Sequence, residues 1–487
     1  MILAQEKRFS KALQVLERLM QYLQRAEQND ERVDVVEREL FGRLLKLGFA
    51  LLESYIQRCG QGDAGKSLPR GERTVRRLEQ PRERRYVSIF GEHHFRRYVY
   101  ARREAQKIER IPVDERLGLP EGEFSYVLQD WLQRFCIQGS FDEGCTSLET
   151  LLGLRVSVRS AERMNQHVAE QGEPFRLQQP PPDPSEEGEL LVYANDCKGV
   201  PMRRPLEERI RRGPRRVKGE KANKKQMACV GAGFSVDRFV RTPDDILDEV
   251  FRKESAAKRP QPRNKRLWAE MTRSHEGEPL SGKTLVFVQQ ALDLHARDPD
   301  RQKRVICLMD GEKALRTEQH EWLPRAIGVL DIWHVLERLW LVAHCFHSEG
   351  SQDAAQFVED RLRALLEGQV GYVIGYFRRL LTSGAKRLSA AQRRAIHQAV
   401  TYFENNRQYM KYDEYLAAGY PIGSGVAEGA CRHVVKDRLE MTGMRWTVKG
   451  AQSVLHLRAI YINDDWKSFQ DYYIEKEQAW LYEKAAA

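Results

Sequence analysis

The chain has 487 residues, of which 41% are hydrophobic and 31% are charged, and its formal net charge is +10. This length allows about three domains, and the hydrophobic content is enough to build real cores. The basic balance favours an anionic partner, nucleic acid before others.

The eight cysteines form no Cys-x-x-Cys pair, a pattern typical of reduced, mostly buried thiols in a cytosolic protein. No apolar run approaches the ~20 residues that are needed to span a bilayer. The N-terminus turns polar too early for a secretory signal. We therefore expect a cytoplasmic protein without a membrane partner.

Residues 1–62 are predicted to form a helical region, because apolar residues recur at spacings of three and four over 5–58. Asn29 and Asp30 are expected to form a cap between its two helices, and the hairpin would pack on its neighbour or on a second protomer. Residues 63–118 are predicted to be a β-rich basic module with a hairpin about Gly91 and with His93 and His94 at a turn. Its arginines suit a solvated surface and DNA backbone contact equally.

Residues 119–177 are predicted to form a helical domain in which a helix, a turn at Gly153 and a helix starting near Ser157 have helix-turn-helix spacing. Plain packing of two helices explains this corner almost as well as DNA binding does. The proline-rich segment 178–187 is predicted to be a stiff linker.

Strand signals follow the linker. Apolar runs are predicted to be strands at 190–195, 227–237, 305–309 and 326–330, and the first, third and fourth end at Asp196, Asp310 and Asp331. Residues 264–273 are predicted to be a polar helix, and 332–415 to be almost entirely helical.

Three acids stand out in this part of the chain. Asp196 and Asp310 end apolar strands, where open α/β sheets place ligand-binding groups. Glu428 lies on a late helix that follows a Gly-Ser-Gly turn. Three carboxylates suit Mg²⁺ or Mn²⁺, which prefer oxygen ligands. Taken singly, each aspartate is equally consistent with an ordinary turn.

Four segments in combination resemble the DDE transposases of bacterial insertion sequences, most closely the ISKra type. They begin Asn195-Asp196-Cys-Lys-Gly-Val-Pro-Met, Leu308-Met-Asp310-Gly, Asp331-Ile-Trp-His334 and Pro421-Ile-Gly-Ser-Gly-Val-Ala-Glu428. Weaker similarity upstream extends the resemblance over most of the chain.

The resemblance implies a mixed α/β chain whose RNase H-like catalytic domain, 188–337 and 416–470, is interrupted by a helical insertion at 338–415. The preceding modules would bind DNA or form oligomer contacts. It implies that Asp196, Asp310 and Glu428 bind two Mg²⁺ or Mn²⁺ ions for DNA cleavage and strand transfer at transposon ends and target DNA. We expect a homodimer or larger oligomer on DNA. The alternatives are a catalytically silent DNA-binding descendant and an RNase H-like nuclease without strand transfer.

Asp331 and His334 match an accessory (Cys/Asp)-x-x-His signature of related transposases, although a helix cap and a satisfied histidine explain them nearly as well. Such families often carry paired cysteines in the N-terminal β region, which this chain lacks, so no structural zinc is expected. Residues 277–284 fit the phosphate-loop pattern Gly-x4-Gly-Lys-Thr, but the predicted polar helix before them is the wrong context, so no nucleotide is expected. An ATPase using this loop is the remaining alternative.

Basic residues near the predicted site are candidates for phosphate contact, and Trp446 for stacking on a distorted base. A solvated hairpin at 203–225 and a core tryptophan at 446 are the plain alternatives. The candidate DNA-binding residues are Arg203, Arg204, Arg211, Arg212, Arg215, Arg216, Arg432, Lys436, Arg438, Arg445 and Trp446.

Overall fold

A computed structural model describes residues 9–70, 73–103, 107–203, 225–251, 259–275, 278–383, 388–423 and 425–483. The chain divides into two compact units, one of residues 1–175 with 466–487 and the other of residues 176–465. Both units contain helices and strands, which confirms the predicted mixed α/β class.

The first unit begins with the predicted helical hairpin, formed by α1 (Ser10–Gln28) and α2 (Val33–Arg58). The predicted cap is confirmed at Asn29, which ends α1 and donates its amide to the Arg25 carbonyl at 3.0 Å. The residue before α2 is Arg32, whose side chain makes no capping bond, whereas Asp30 has a φ of 50° and shapes the turn between the helices. A short polar side chain tolerates this left-handed conformation better than most residues do.

Five strands follow: β1 (Ser67–Arg70), β2 (Arg73–Arg77), β3 (Arg82–Ser88), β4 (Gly91–Arg97) and β5 (Tyr100–Ala101). β3 and β4 pair antiparallel and form the predicted hairpin at Gly91. His93 and His94 lie within β4 instead of at a turn. Successive side chains of a strand face opposite sides, so His93 is buried and stacks on Phe49 at 4.3 Å between ring centroids, while His94 is exposed.

Helices complete this unit. The predicted corner is confirmed: Gly153 ends α5 with a φ of 69°, and the Ser157 hydroxyl accepts a hydrogen bond from the Ser160 amide at 3.0 Å where α6 begins. The helices are α3 (Pro112–Leu117), α4 (Tyr126–Gln138), α5 (Phe141–Leu152), α6 (Val158–Ala169), α7 (Gly172–Leu177), which crosses the boundary, and α19 (Trp466–Gln478) near the C-terminus.

The second unit is built on a five-stranded sheet with the order β12-β11-β6-β7-β8. β6, β7 and β8 pair antiparallel, and β11 and β12 extend the sheet in parallel with β6. The strands are β6 (Leu190–Pro201), β7 (Lys225–Val236), β8 (Arg263–Met271), β11 (Arg304–Met309) and β12 (Ile327–Leu330). β9 (Arg273–His275) and β10 (Glu278–Leu280) form a separate hairpin.

Both faces of the sheet are covered, which explains why β6 begins as a continuous apolar run. Leu190 and Val192 face a core shared with later helices, while Leu191 and Tyr193 face a second core. The helices of this unit are α8 (Pro243–Val250), α9 (Gly282–Arg297), α10 (Lys313–Trp322), α11 (Ile332–Ala343), α12 (Gln352–Leu366), α13 (Val370–Ser383), α14 (Ala390–Asn406), α15 (Tyr412–Ala417), α16 (Gly425–Ala430), α17 (Asp437–Leu439) and α18 (Val448–Ile462). The predicted helical run at 332–415 is confirmed.

The predicted polar helix at 264–273 is wrong, because this segment is strand β8 at the edge of the sheet. Helix α18 covers its free edge: Gln452 accepts a hydrogen bond from the Met271 amide at 2.6 Å and donates one to the Ala269 carbonyl at 3.1 Å. These bonds satisfy two backbone groups of the edge, which weakens it as a template for pairing with another chain.

Candidate metal centre

Asp196 and Asp310 meet where one strand of the sheet stops and its neighbour continues. β11 pairs in parallel with β6 up to Met309 opposite Asn195, and Asp310 directly follows β11. Asp196 does not end its strand as predicted, because β6 continues to Pro201 through its pairing with β7. The two carboxylates therefore lie side by side where β11 ends next to β6.

His334 is the third member of this group. It lies in the first turn of α11, which begins just after β12, the next strand in the sheet. One ligand atom from each of Asp196, Asp310 and His334 lies within 4.8 Å of the others, and all three residues are half-buried. We call these residues the Asp-Asp-His cluster.

Both aspartates are held by short local bonds. The Asp310 carboxylate accepts a hydrogen bond from the Glu312 amide at 2.7 Å, and the backbone carbonyl of Asp310 accepts one from the Tyr402 hydroxyl at 2.6 Å. The Asp196 carboxylate accepts a hydrogen bond from the Cys197 amide at 2.6 Å. These contacts fix the side chains before any ligand arrives, as binding requires.

Glycine is required immediately after Asp310. Gly311 has a φ of 88°, and a Cβ there would lie 2.9 Å from both the Asn406 side-chain nitrogen and a Leu330 methyl group. The chain thus turns sharply away from the carboxylate in a conformation that L residues rarely adopt.

The residues of the cluster fit a divalent cation. Nδ1 of His334 is buried and makes no hydrogen bond within the described part of the chain, although buried polar atoms are normally paired. Two carboxylates and an imidazole suit Mn²⁺ and several other first-row metals, whereas Mg²⁺ prefers oxygen ligands alone. The cluster can bind a metal ion whose identity the geometry leaves open.

Asp331 lies outside this cluster although it shares a motif with His334. Its side chain is fully buried and accepts a hydrogen bond from the Trp333 amide at 2.8 Å, so it caps α11. Its own amide donates to the Met309 carbonyl at 3.0 Å. Asp331 therefore ties the start of α11 to the end of β11 and positions His334 one turn later.

The segment that carries Glu428 packs against the same strands. Residue 428 lies in α16, which contacts β6 and β7, but its side chain lies outside the described residues. A π-helical turn (Cys431–Lys436) follows directly, and such turns often occur at functional sites. Burial, together with the charge of Asp196 and a hydrogen bond to it, raises the pKa of Cys431 well above its ordinary value.

The candidate DNA-binding residues divide into three groups. Arg203, Arg432, Lys436 and Arg445 are exposed. Arg204, Arg211, Arg212, Arg215 and Arg216 lie outside the described residues.

Arg438 and Trp446 are interior residues and require a correction. Arg438 is 0% exposed and its guanidinium lies 4.9 Å from the centroid of the Trp446 ring. The Trp446 indole donates a hydrogen bond to the Leu439 carbonyl at 3.0 Å. Both side chains are part of the protein interior, and the turn at Thr442 and Gly443 folds the tryptophan back over the arginine.

The phosphate-loop pattern has a different structure from the one its spacing suggests. A strand, β8, does precede it, contrary to the prediction, but β9 and β10 pair with each other between β8 and α9, which begins at Gly282. Gly277, the first glycine of the pattern, lies outside the described residues. Lys283 forms an ion pair with Glu312, and Thr284 donates a hydrogen bond to Glu318 at 2.7 Å. Both side chains that would contact phosphate and metal are therefore engaged with carboxylates.

Within the described ranges, no helix is both long enough and apolar enough to cross a membrane. No protein-family model matches the chain, and a search of curated proteins gives no match.

Proposed function

We propose that the protein is a DNA transposase, a metal-dependent enzyme that cleaves phosphodiesters at the ends of its element and joins them to target DNA. The convergence of Asp196, Asp310 and His334 within 4.8 Å carries this proposal. The sequence predicts Asp196 and Asp310 as metal ligands for this chemistry, and they lie 114 residues apart in the chain.

The sheet supports an RNase H-like catalytic domain. An antiparallel meander of three strands is extended by two parallel strands, with Asp196 on the central strand β6 and Asp310 directly after its neighbour β11. Helices α12 to α14 lie within the proposed insertion at 338–415, between β12 and the segment carrying Glu428.

The proposed chemistry divides between the cluster and its surroundings. A bound divalent cation would activate a water or 3′-hydroxyl and stabilise the leaving oxygen of the phosphodiester. Asp196, Asp310 and His334 would hold one ion, and a second would require Glu428, which stays a predicted ligand. Exposed Arg432, Lys436 and Arg445 would bind DNA phosphates.

A cleavage assay tests the proposal. DNA carrying the terminal repeats that flank the gene is incubated with protein and Mn²⁺ or Mg²⁺, and both nicked and joined products are resolved. Asp196→Asn and Asp310→Asn should abolish cleavage while end binding persists. His334→Ala should weaken Mn²⁺ binding about tenfold or more in calorimetry, because a ligand is lost.

The matched control is Asp300→Asn, which neutralises an exposed aspartate away from the cluster and should cleave as the wild type does. Nicked products without joined ones would indicate a nuclease. Cleavage that survives the double Asp→Asn variant would refute the assignment.

A further inference from the structure

A cavity of about 350 Å³ lies at the start of α11, the helix that carries His334. Its walls come from β7, α8, the start of α11 and the segment before α16. The residues that carry the argument are Phe234, Phe239, Arg241, Trp333, Ile422 and Val426.

The walls are mostly apolar. Phe234 and Ile422 are buried, whereas the Trp333 side chain remains 36% exposed although it lines a cavity. An exposed indole at the rim of an apolar cavity leaves a planar surface free for stacking. The space is large enough for one heteroaromatic ring system.

The cavity also contains a hydrogen-bond donor. Arg241 donates from Nη2 to the Tyr420 carbonyl at 2.6 Å, which holds the guanidinium in place. Its Nε is buried and has no hydrogen-bond partner among the described residues. Because an unpaired buried donor is costly, this atom favours a ligand that brings an acceptor.

The acidic residues at the cavity are already neutralised. Glu249 forms an ion pair with Arg259, and Asp237 is 2.5 Å from Arg263. A cationic ligand therefore finds no free carboxylate among these residues, whereas a neutral ring with a carbonyl or ring nitrogen matches the free Nε–H.

Several residues that line the cavity are close in sequence to residues of the candidate metal centre. Trp333 directly precedes His334, and Gly423, Gly425 and Val426 belong to the segment that leads to Glu428. A Cβ on Gly423 would lie 3.0 Å from the Trp333 indole nitrogen, so glycine allows this segment to pass closely over the ring.

We propose that this cavity binds an unstacked nucleobase of the DNA strand held at the metal centre. The proposal rests on the proposed function. The base would stack on Trp333 and accept a hydrogen bond from Arg241 Nε. Stacking of this kind is sequence-tolerant, because every base has a π-face.

The test compares two labelled single strands of about twelve nucleotides, one of thymidines and one of abasic residues with the same number of phosphates. Affinities are measured by fluorescence anisotropy in EDTA, so that no cleavage occurs. The wild type should bind the thymidine strand about tenfold more tightly than the abasic strand. Trp333→Ala, and Val426→Phe, which fills the cavity, should remove most of this preference without weakening abasic binding.

Trp480→Ala is the matched control, because it removes an exposed tryptophan that does not line the cavity. It should keep the full preference, and thermal melts should show each variant to be folded. An unchanged preference in both cavity variants would overturn the proposal. Asp310→Asn should keep the base preference, so lost cleavage with a retained preference separates the proposed function from this inference.

Discussion

Neutralising Asp310 should stabilise the metal-free protein, because Asp196 and Asp310 repel each other when no cation lies between them. With carboxylate oxygens within 4.8 Å, the repulsion is about 0.9 kcal/mol in water and about 3.5 kcal/mol at an effective dielectric constant of about 20. Both residues are half-buried, so we expect Asp310→Asn to raise the free energy of unfolding by about 1–3 kcal/mol. The asparagine oxygen can still accept the Glu312 amide.

A bound cation should reverse this order. At a Mn²⁺ concentration of about 100 times the dissociation constant, the wild type should gain about 2.7 kcal/mol, whereas Asp310→Asn should gain much less. The measurement is urea unfolding of both proteins, and of Asp300→Asn, in EDTA and in Mn²⁺. If Asp310→Asn is less stable than the wild type in EDTA, or if Mn²⁺ stabilises both equally, the two aspartates do not form a shared cation site.

Three further predictions follow from the second unit. Gly311→Ala forces a strained turn next to Asp310. Calorimetry should therefore show weaker Mn²⁺ binding, and the free energy of unfolding should fall by about 1–3 kcal/mol. Unchanged values of both would show that the turn relaxes without strain. Burial raises the pKa of Glu270, but His456 and Arg176 lower it to about 2. Its contribution to the free energy of unfolding, about 3 kcal/mol, is therefore present above about pH 4.5 and is lost as the pH falls towards 2. Glu270→Gln should therefore be less stable at neutral pH, with a flatter acid limb in pH-dependent unfolding. Arg438→Ala should lower the free energy of unfolding by about 3 kcal/mol, because packing is lost. Arg432→Ala should keep the wild-type stability and should reduce the salt dependence of DNA binding by one phosphate contact. The opposite pattern would contradict the assigned burial of the two arginines.

Local signals in the sequence predicted much of the fold. Helical periodicity indicated the N-terminal hairpin, and Gly153 with Ser157 indicated the corner between α5 and α6, because turns and caps depend on neighbouring residues. The apolar runs at 190–195 and 305–309 indicate two buried strands, and the sequence therefore predicts that Asp196 and Asp310 belong to one site.

Features that depend on distant partners were missed. β8 resembled a polar helix because Glu270 is charged, yet Glu270 is buried against Arg176 and His456, 94 and 186 residues away. Arg438 resembled a phosphate contact, but Trp446 covers it.

The sequence by itself determined the two aspartates, the strands that carry them and the helix after Asp331, since apolar runs and caps are local properties of the chain. Only the tertiary structure decided that His334 joins the aspartates while Asp331 is buried as a cap. That choice depends on β11 ending at Met309 while β6 continues. It also depends on α11 starting next to the end of β11. Pairing of strands across the sheet imposes this placement, and the spacing of residues along the chain does not encode it.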